Sequence, residues 1–184
     1  SLDLSGCSFP NSSLSYLFRG CKLLRELNLL DCVDLSDAAL EPLSSSPDVA
    51  ATCGARLASL NITGCSKITD KGIVSVALAC PSLERIDLAG VPLITCKGLT
   101  TLARNCQYLK SVDISSDIQA LSDDPRSRIS RVPRVGSDGI KALGRYCKYL
   151  RVIRCNGASR IDASSIIEVA KGCPRLEVLT LRHC

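Results

Sequence analysis

Two kinds of residue in this sequence could perform chemistry: twelve cysteines and a single histidine, His183. A nucleophile needs a base beside it, and a catalytic site needs several such groups to converge. The sequence contains no GxSxG, P-loop, HExxH or GxGxxG motif. His183 stands near the last residue, where solvent exposure or packing is the expected role. Twelve cysteines do not exclude a nucleophile by number alone, but the pattern predicts that the protein is not an enzyme.

The cysteines recur at two regular positions, one after short apolar stretches and one before turns. Two of the second set directly precede Pro81 and Pro174. No CxxC pair occurs, so a structural zinc site has little support, and neither a metal nor a cofactor is predicted. We expect reduced cysteines that act as compact buried side chains. A disulfide framework in a secreted protein is the alternative.

The cysteines belong to a repeated unit, of which residues 57–82 are the clearest copy. Leu60 and Ile62 alternate with polar residues, as in a strand with one buried face. Asp70 then stands where a side-chain acceptor can cap the first N–H groups of a helix. Apolar residues follow at helical spacing until Pro81, which ends the helix. A strand and a helix this short cannot bury their apolar faces alone, so copies must stack.

Copies of the strand recur at intervals of 25 or 26 residues, with intervals of 33 and 41 at two places. The marker residues are Leu2, Leu27, Leu60, Ile86, Val112, Ile153 and Leu179. This spacing predicts a single domain over residues 1–184, with about five full repeats, partial ends, and insertions near residues 44–53 and 119–134. We expect the first insertion to be a turn-rich surface loop on the helix side. The sequence begins inside a strand pattern, so we expect a fragment of a longer protein.

The repeated motifs resemble those of the cysteine-containing leucine-rich-repeat family, as in F-box proteins with such repeats and antagonists of the mitotic exit network. The matching segments are LxLxxC at Leu2 to Cys7, Leu27 to Cys32 and Leu60 to Cys65, an ITDxG-like cap at Ile68 to Gly72, and CPxL at Cys80 to Leu83 and Cys173 to Leu176. The resemblance implies an α/β leucine-rich-repeat solenoid. A curved parallel sheet would line its concave side and helices its convex side.

The resemblance also implies a function in protein binding. The chain would be the substrate-recognition or adaptor part of an F-box-type ubiquitin ligase, or a regulator of the mitotic-exit type. Skp1 and cullin would be possible partners through a segment outside this chain. The alternative is a structural scaffold subunit of a larger multiprotein assembly. The expected location is intracellular, in the cytoplasm, the nucleus or both.

Composition restricts the other classes of partner. The formal net charge is +5, and aromatic residues make up 3% of the chain. A basic stripe with interleaved aromatic residues would indicate nucleic-acid binding, and the sequence does not have this pattern. No apolar run approaches the roughly 20 residues that span a bilayer, and no signal peptide opens the chain. We therefore expect a protein partner, with no nucleic acid and no membrane.

The strand residues that point away from the core predict where a partner binds. In each repeat the residue after the buried marker faces outward on the concave side. This outward surface is polar to acidic through the fifth strand and then becomes apolar and basic. The candidate protein-binding residues are Asp87, Asp113, Val152, Arg154, Val178 and Arg182. Solvated spacing between buried leucines is the alternative role.

The longer insertion contains hydroxyl groups beside arginines, as basophilic kinases prefer. Phosphate there would cancel local positive charge, so a regulatory or docking role is one hypothesis and a passive insertion is the other. The candidate regulatory residues are Arg126, Ser127, Arg128, Ser130 and Arg131.

Overall fold

The computed structural model describes residues 1–116, 135–158, 161–182 and 184. Strands and helices alternate along these ranges, in which seven strands form one parallel sheet in chain order. The strands are β1 (Leu2–Asp3), β2 (Glu26–Asn28), β3 (Ser59–Asn61), β4 (Arg85–Asp87), β5 (Ser111–Asp113), β6 (Val152–Arg154) and β7 (Val178–Thr180). The helices are α1 (Ser12–Gly20), α2 (Asp37–Ser45), α3 (Pro47–Val49), α4 (Asp70–Ala79), α5 (Cys96–Asn105), α6 (Ser137–Tyr146) and α7 (Ala163–Gly172).

The strand register confirms the predicted series of marker residues. Each marker pairs with the next one along the sheet, beginning with Leu2 opposite Leu27 and ending with Ile153 opposite Leu179. A slip of one residue would turn the apolar side chains toward solvent, so the buried face fixes this register. The intervals of 33 and 41 residues therefore lengthen the connections between strands and leave the pairing unchanged.

One apolar core runs between the sheet and the helices. On the strand side, Leu60 and Ile86 are almost completely buried, and on the helix side Ile73 and Val76 of α4 are completely buried. Phe18 is the only aromatic side chain among the fully buried residues of the described ranges. Leucine, isoleucine, valine, alanine and cysteine fill the remainder, as the composition predicts. Small side chains of this kind let successive repeats stack in similar layers.

The start of α4 corrects the predicted role of Asp70. Thr69 is the N-cap, and its side chain accepts a hydrogen bond from the backbone N–H two residues on. Asp70 accepts hydrogen bonds from the N–H and the hydroxyl of Thr95 in the next repeat, at 2.8 and 2.6 Å. Cys96 occupies the same position one repeat later and accepts from the N–H of Gly136 at 3.1 Å. These side chains therefore join one helix start to the next and do not cap their own helices.

The first predicted insertion is helical and partly buried, which corrects the expected surface loop. After α2 the chain continues into α3 and a π-helical segment, Ala50–Gly54. Val49 and Cys53 from this region are buried in the core. Because these side chains reach the core, the extra residues extend the helix layer. The second predicted insertion, residues 119–134, lies outside the described residues, together with the candidate regulatory residues Arg126, Ser127, Arg128, Ser130 and Arg131.

All twelve cysteines are free thiols, and eight of them are buried. Some buried thiols at each of the two regular positions donate to a backbone carbonyl of the preceding repeat. Cys65 Sγ lies 3.2 Å from the oxygen of Leu29, and Cys106 Sγ lies 3.3 Å from the oxygen of Cys80. Burial raises the pKa of Cys65 and of Cys106 to about 12. These cysteines are therefore protonated packing residues with weak inter-repeat hydrogen bonds.

Candidate protein-binding site

Three charged side chains lie in a row on the outward face of the sheet. Strands β4, β5 and β6 end in Asp87, Asp113 and Arg154, and the register places each opposite the next. The preceding residue of each strand is completely buried, so these three point to the other face. Adjacent strands are about 4.8 Å apart, so the three positions fall within about 10 Å. The structure thus brings together three of the predicted binding residues.

The other three predicted residues lie beside this row. Val152 and Val178 pair across β6 and β7, and both are half-buried. Arg182 follows β7, where its backbone N–H donates to Asn156 Oδ1 at 3.0 Å and its side chain is exposed. Arg154 and Arg182 thus belong to neighbouring repeats. All six predicted binding residues occupy one part of the sheet and the turn that follows it.

Asp87 differs from its equivalents in how its side chain is satisfied. Asn28, Asn61 and Asp113 each accept a hydrogen bond from the backbone N–H two residues on, at 3.1, 2.9 and 2.9 Å. This local hydrogen bond closes a turn after the strand. Asp87 makes no such bond, and its carboxylate has no hydrogen bond or ion pair within the described part of the chain. Asp87 therefore has hydrogen-bond acceptor capacity that the described part of the chain does not use.

The electrostatic surroundings of Asp87 are unfavourable to its charge. Removal from water, and then the neighbouring Asp113 carboxylate, raise the pKa of Asp87. Arg154 and Arg85 act in the opposite direction without cancelling the rise. A partially buried carboxylate beside a like charge gains free energy when a cation or a hydrogen-bond donor approaches it. The two carboxylates therefore form a site that favours a donor or a positive group.

The charged residues at the first position of the strands, beside this row, are paired with each other within the chain. Arg85 of β4 forms an ion pair with Glu26 of β2 at 3.1 Å, across the intervening strand β3. Arg154 is exposed and forms no ion pair with any carboxylate of the described residues. A surface ion pair contributes roughly 0–1 kcal/mol to stability, so this pair adds little to the stability of the fold. It does neutralise the charges of Arg85 and Glu26 within the chain. Arg154 is therefore a charged group of this surface with no ion-pair partner in the described part of the chain.

The sequence analysis missed a pair of exposed tyrosines in the turns that precede β5 and β6. Tyr108 and Tyr149 are 58% and 40% exposed, and their rings stack with centroids 5.7 Å apart. Each tyrosine follows a helix-end cysteine, Cys106 or Cys147, by two residues. That shared position was the signal that could have found them. The low overall aromatic content hid it, because composition does not show how residues cluster in space.

Two other classes of site have no support in the described residues. In residues 1–116, 135–158, 161–182 and 184, no group of three or more His, Cys, Asp or Glu side chains could hold a metal ion. Within the same ranges, no helix is both long enough and apolar enough to span a bilayer.

Comparison with known proteins supports the fold. No protein-family model matches the sequence. The C-terminal domain of tropomodulin from Caenorhabditis elegans has a similar structure, with a TM-score of 0.57, 14% identity, and coverage of 91% of this chain and 93% of that one. The yeast Rad7 and Elc1 complex aligns with a TM-score of 0.43 and 18% identity, over 91% of this chain and 52% of that one, which is too weak to indicate a relationship. The tropomodulin likeness and the strand register together confirm the predicted α/β leucine-rich-repeat solenoid.

Proposed function

We propose that this chain binds another protein through the concave face of its sheet, with Asp87, Asp113 and Arg154 at the centre of the interface. The observation that supports this best is the side chain of Asp87, which lacks the hydrogen bond that its equivalents make. A carboxylate left unsatisfied next to a second carboxylate costs free energy in the unbound protein. A partner with basic or hydrogen-bond-donating groups opposite it would recover that cost.

The adjoining residues give the proposed interface its specificity. Arg154 supplies a positive charge next to the two carboxylates, so a partner with both charge signs would bind in one orientation. Val152 and Val178 add apolar area at the side of the charged row. Arginine is over-represented among the residues that dominate binding energy. Because the sheet is already formed, binding would cost little backbone entropy.

The more specific role that we propose is substrate recognition or adaptor function in an F-box-type ubiquitin ligase or a mitotic-exit-type regulator. It is supported by the LxLxxC and CPxL motifs of the sequence. Skp1 and cullin would then bind through a segment outside this chain. The proposal makes the protein a binding module without catalysis of its own. An intracellular location, in the cytoplasm, the nucleus or both, agrees with cysteines used for packing and not for cross-links.

The test measures the affinity of the principal partner, identified by affinity capture with the complete gene product that contains this chain. We expect Arg154→Glu to weaken binding at least tenfold, about 1.4 kcal/mol. Lys71→Glu, an equal charge reversal on the exposed side of α4, should change the affinity little. Both positions are exposed, so neither change should lower stability. Isothermal titration calorimetry of the unmodified protein and both variants with the partner measures these affinities.

The second candidate function is a scaffold subunit whose helix side docks on neighbouring subunits. It is favoured if Lys71→Glu is the damaging change and Arg154→Glu is silent, because the convex side would then be the working surface. Capture experiments separate the two candidates independently. Recovery of Skp1 and cullin supports the ligase role, while stoichiometric recovery of one large complex supports the scaffold.

The insertion at residues 119–134 remains a separate proposal, for a regulatory or docking element. It rests on the hydroxyl and arginine pattern of the sequence between Arg126 and Arg131. Deleting residues 119–134 should leave the fold intact and change partner binding. Unchanged binding after the deletion would reject the docking role and leave a passive insertion.

A further inference from the structure

A stacked pair of tyrosines lies at the side of the sheet where the strands begin, and a third tyrosine stands three residues before one of them in the sequence. The chain has four tyrosines and two phenylalanines, and three of these six residues are Tyr108, Tyr146 and Tyr149. Tyr108 and Tyr149 stand in the turns before β5 and β6 and stack with an angle of 23° between their ring planes. Tyr146 is the last residue of α6. Half of the aromatic side chains of a protein with few of them are thus concentrated in two neighbouring repeats.

Two cations lie over the rings of these tyrosines, and a third stands beside one of them in the sequence. The guanidinium of Arg175 lies 5.2 Å from the ring centroid of Tyr149, and that of Arg104 lies 5.6 Å from the ring centroid of Tyr146. Lys148 precedes Tyr149 and donates to a backbone carbonyl at 3.4 Å. These distances are within the range of cation–π attraction, which holds an arginine over a ring without neutralising its charge. We call Tyr108, Tyr146, Tyr149, Arg104, Lys148 and Arg175 the tyrosine rim.

The cations of the tyrosine rim differ from the other basic residues nearby. Lys110 pairs with Glu84 at 2.8 Å, and Arg151 pairs with Glu177 at 3.3 Å. Within the described residues, none of the three rim cations forms an ion pair with a carboxylate. The tyrosine rim therefore has an uncompensated positive charge, in contrast to the paired charges beside it.

The fold does not require tyrosines at these positions. Two residues after the helix-end cysteine, the other repeats have Leu23, Ala55, Ser82 and Arg175 where this pair has Tyr108 and Tyr149. Both rings are too exposed to contribute much to the core. Exposed tyrosine and arginine together have the composition of protein interface hot spots, in which a rigid ring supplies contact area and arginine supplies charge-assisted hydrogen bonds.

We propose that the tyrosine rim is a second interaction surface, separate from the concave row, and that it binds an acidic segment of a partner protein. The uncompensated cations select carboxylates, and the exposed ring edges and hydroxyls accept the apolar and polar groups between them. Arginines held over rings are positioned in advance, so less conformational entropy is lost when a carboxylate binds.

A protein segment fits this surface better than a nucleic acid does. Tyr149 stacks against Tyr108 and has Arg175 over its ring, so its ring is already in contact within the chain. Recognition of single-stranded nucleic acid depends on open ring faces on which bases stack. The exposed edges and the isolated cations match a chain with separate carboxylates.

The test uses the full chain and fluorescence anisotropy with three labelled probes: a short peptide rich in aspartate and glutamate with one leucine, a lysine-rich peptide of the same length, and an oligothymidine of the same length. We expect the unmodified protein to bind the acidic peptide in preference to the other two. Tyr149→Ala and Arg175→Glu should each weaken that binding about tenfold or more, as for the loss of one hot-spot side chain.

Matched controls come from α1, away from the tyrosine rim. Tyr16 is 78% exposed, and Arg19 is an exposed residue in the last turn of α1. Tyr16→Ala and Arg19→Glu should leave the affinity for the acidic peptide unchanged. The proposal is overturned if the unmodified protein does not bind the acidic peptide or if the α1 variants lose as much affinity as the rim variants. Preferential oligothymidine binding that is lost in the rim variants would also overturn it, by assigning the surface to nucleic acid.

Discussion

The repeats that contain β2 and β3 and those that contain β4 to β7 share one core but differ in how their polar side chains are used. In the first group, Asp37 accepts hydrogen bonds from the N–H of Thr69, the hydroxyl of Thr69 and the N–H of Gly72. In the second group, Cys96 takes this position and accepts from one N–H. The links between neighbouring helix starts are therefore strongest in the first group.

The outward strand residues show the same difference. Asn28 and Asn61 close the turns that follow β2 and β3 through their side-chain oxygens. Toward β6, Asp87 lacks that bond, and Arg154, an exposed side chain, stands where an asparagine would close the turn. The stacked tyrosines lie on the same half of the chain. The outward side chains of β2 and β3 serve the fold through these bonds, and in the second group fewer of the outward side chains do so.

The largest effect should come from the core that both groups share. Leu60 and Ile153 are 1% and 0% exposed, one in each group. We expect Leu60→Ala and Ile153→Ala each to lower the free energy of unfolding by about 2–5 kcal/mol, because a buried large-to-small change leaves a cavity. Ile86→Ala, between them, should fall in the same range. Urea denaturation measures these losses.

The control for the core variants is Leu78→Ala, since Leu78 lies on α4 and is 61% exposed. It should change the free energy of unfolding by less than about 0.5 kcal/mol. A similarly small change for Leu60→Ala would contradict the strand register. A loss in only one of the two groups would show that they unfold separately, which contradicts a shared core.

A smaller effect should distinguish the two groups at the helix starts. Asp37→Ala removes a carboxylate that satisfies two backbone N–H groups and a hydroxyl. We expect a loss of about 1.5–3 kcal/mol, the range for hydrogen bonds to charged groups. Cys96→Ala removes one hydrogen bond to sulfur and should cost below about 1 kcal/mol. Equal losses in urea denaturation would mean that the helix starts are joined equally strongly in both groups.

The sequence predicted the sheet well because each strand needs one buried residue at the same place. The markers from Leu2 to Leu179 could therefore be found by spacing alone, despite two long intervals. The helical insertion was missed because Ser46 and Pro47 are typical of a turn, while the burial of Val49 depends on neighbouring helices. Local sequence shows which residues favour a turn, but it does not show what packs over them.

The site was predicted less completely, for a related reason. The register that aligns Asp87, Asp113 and Arg154 follows from the marker spacing, so their proximity was predictable. Asp70 accepts its hydrogen bonds from Thr95 of the next repeat, and that pairing depends on the offset between stacked helices. The same holds for the missing hydrogen bond at Asp87. Contacts between repeats are set by three-dimensional geometry, which one repeat's sequence does not contain.

The smallest effect, and the one that tests the difference between satisfied and unsatisfied side chains most directly, is the pH dependence of Asp87→Asn. The pKa of Asp87 is raised by burial and by Asp113 above its ordinary value of 3.8. A carboxyl group whose folded-state pKa exceeds its unfolded-state pKa costs stability once it ionises, so its cost grows as pH rises through the interval between the two values. Asp87→Asn should therefore raise the urea midpoint at neutral pH, and the gain should vanish below pH 3.8.

Asp3 is the opposite case in the same row, since hydrogen bonds from Ser5 lower its pKa. Asp3→Asn should lower the midpoint slightly at neutral pH, and that loss should vanish in acid. If Asp87→Asn lowers the midpoint at neutral pH, the carboxylate has a stabilising role in the free protein. If it raises the midpoint and also lowers the affinity for the partner, Asp87 is retained for binding at the expense of stability.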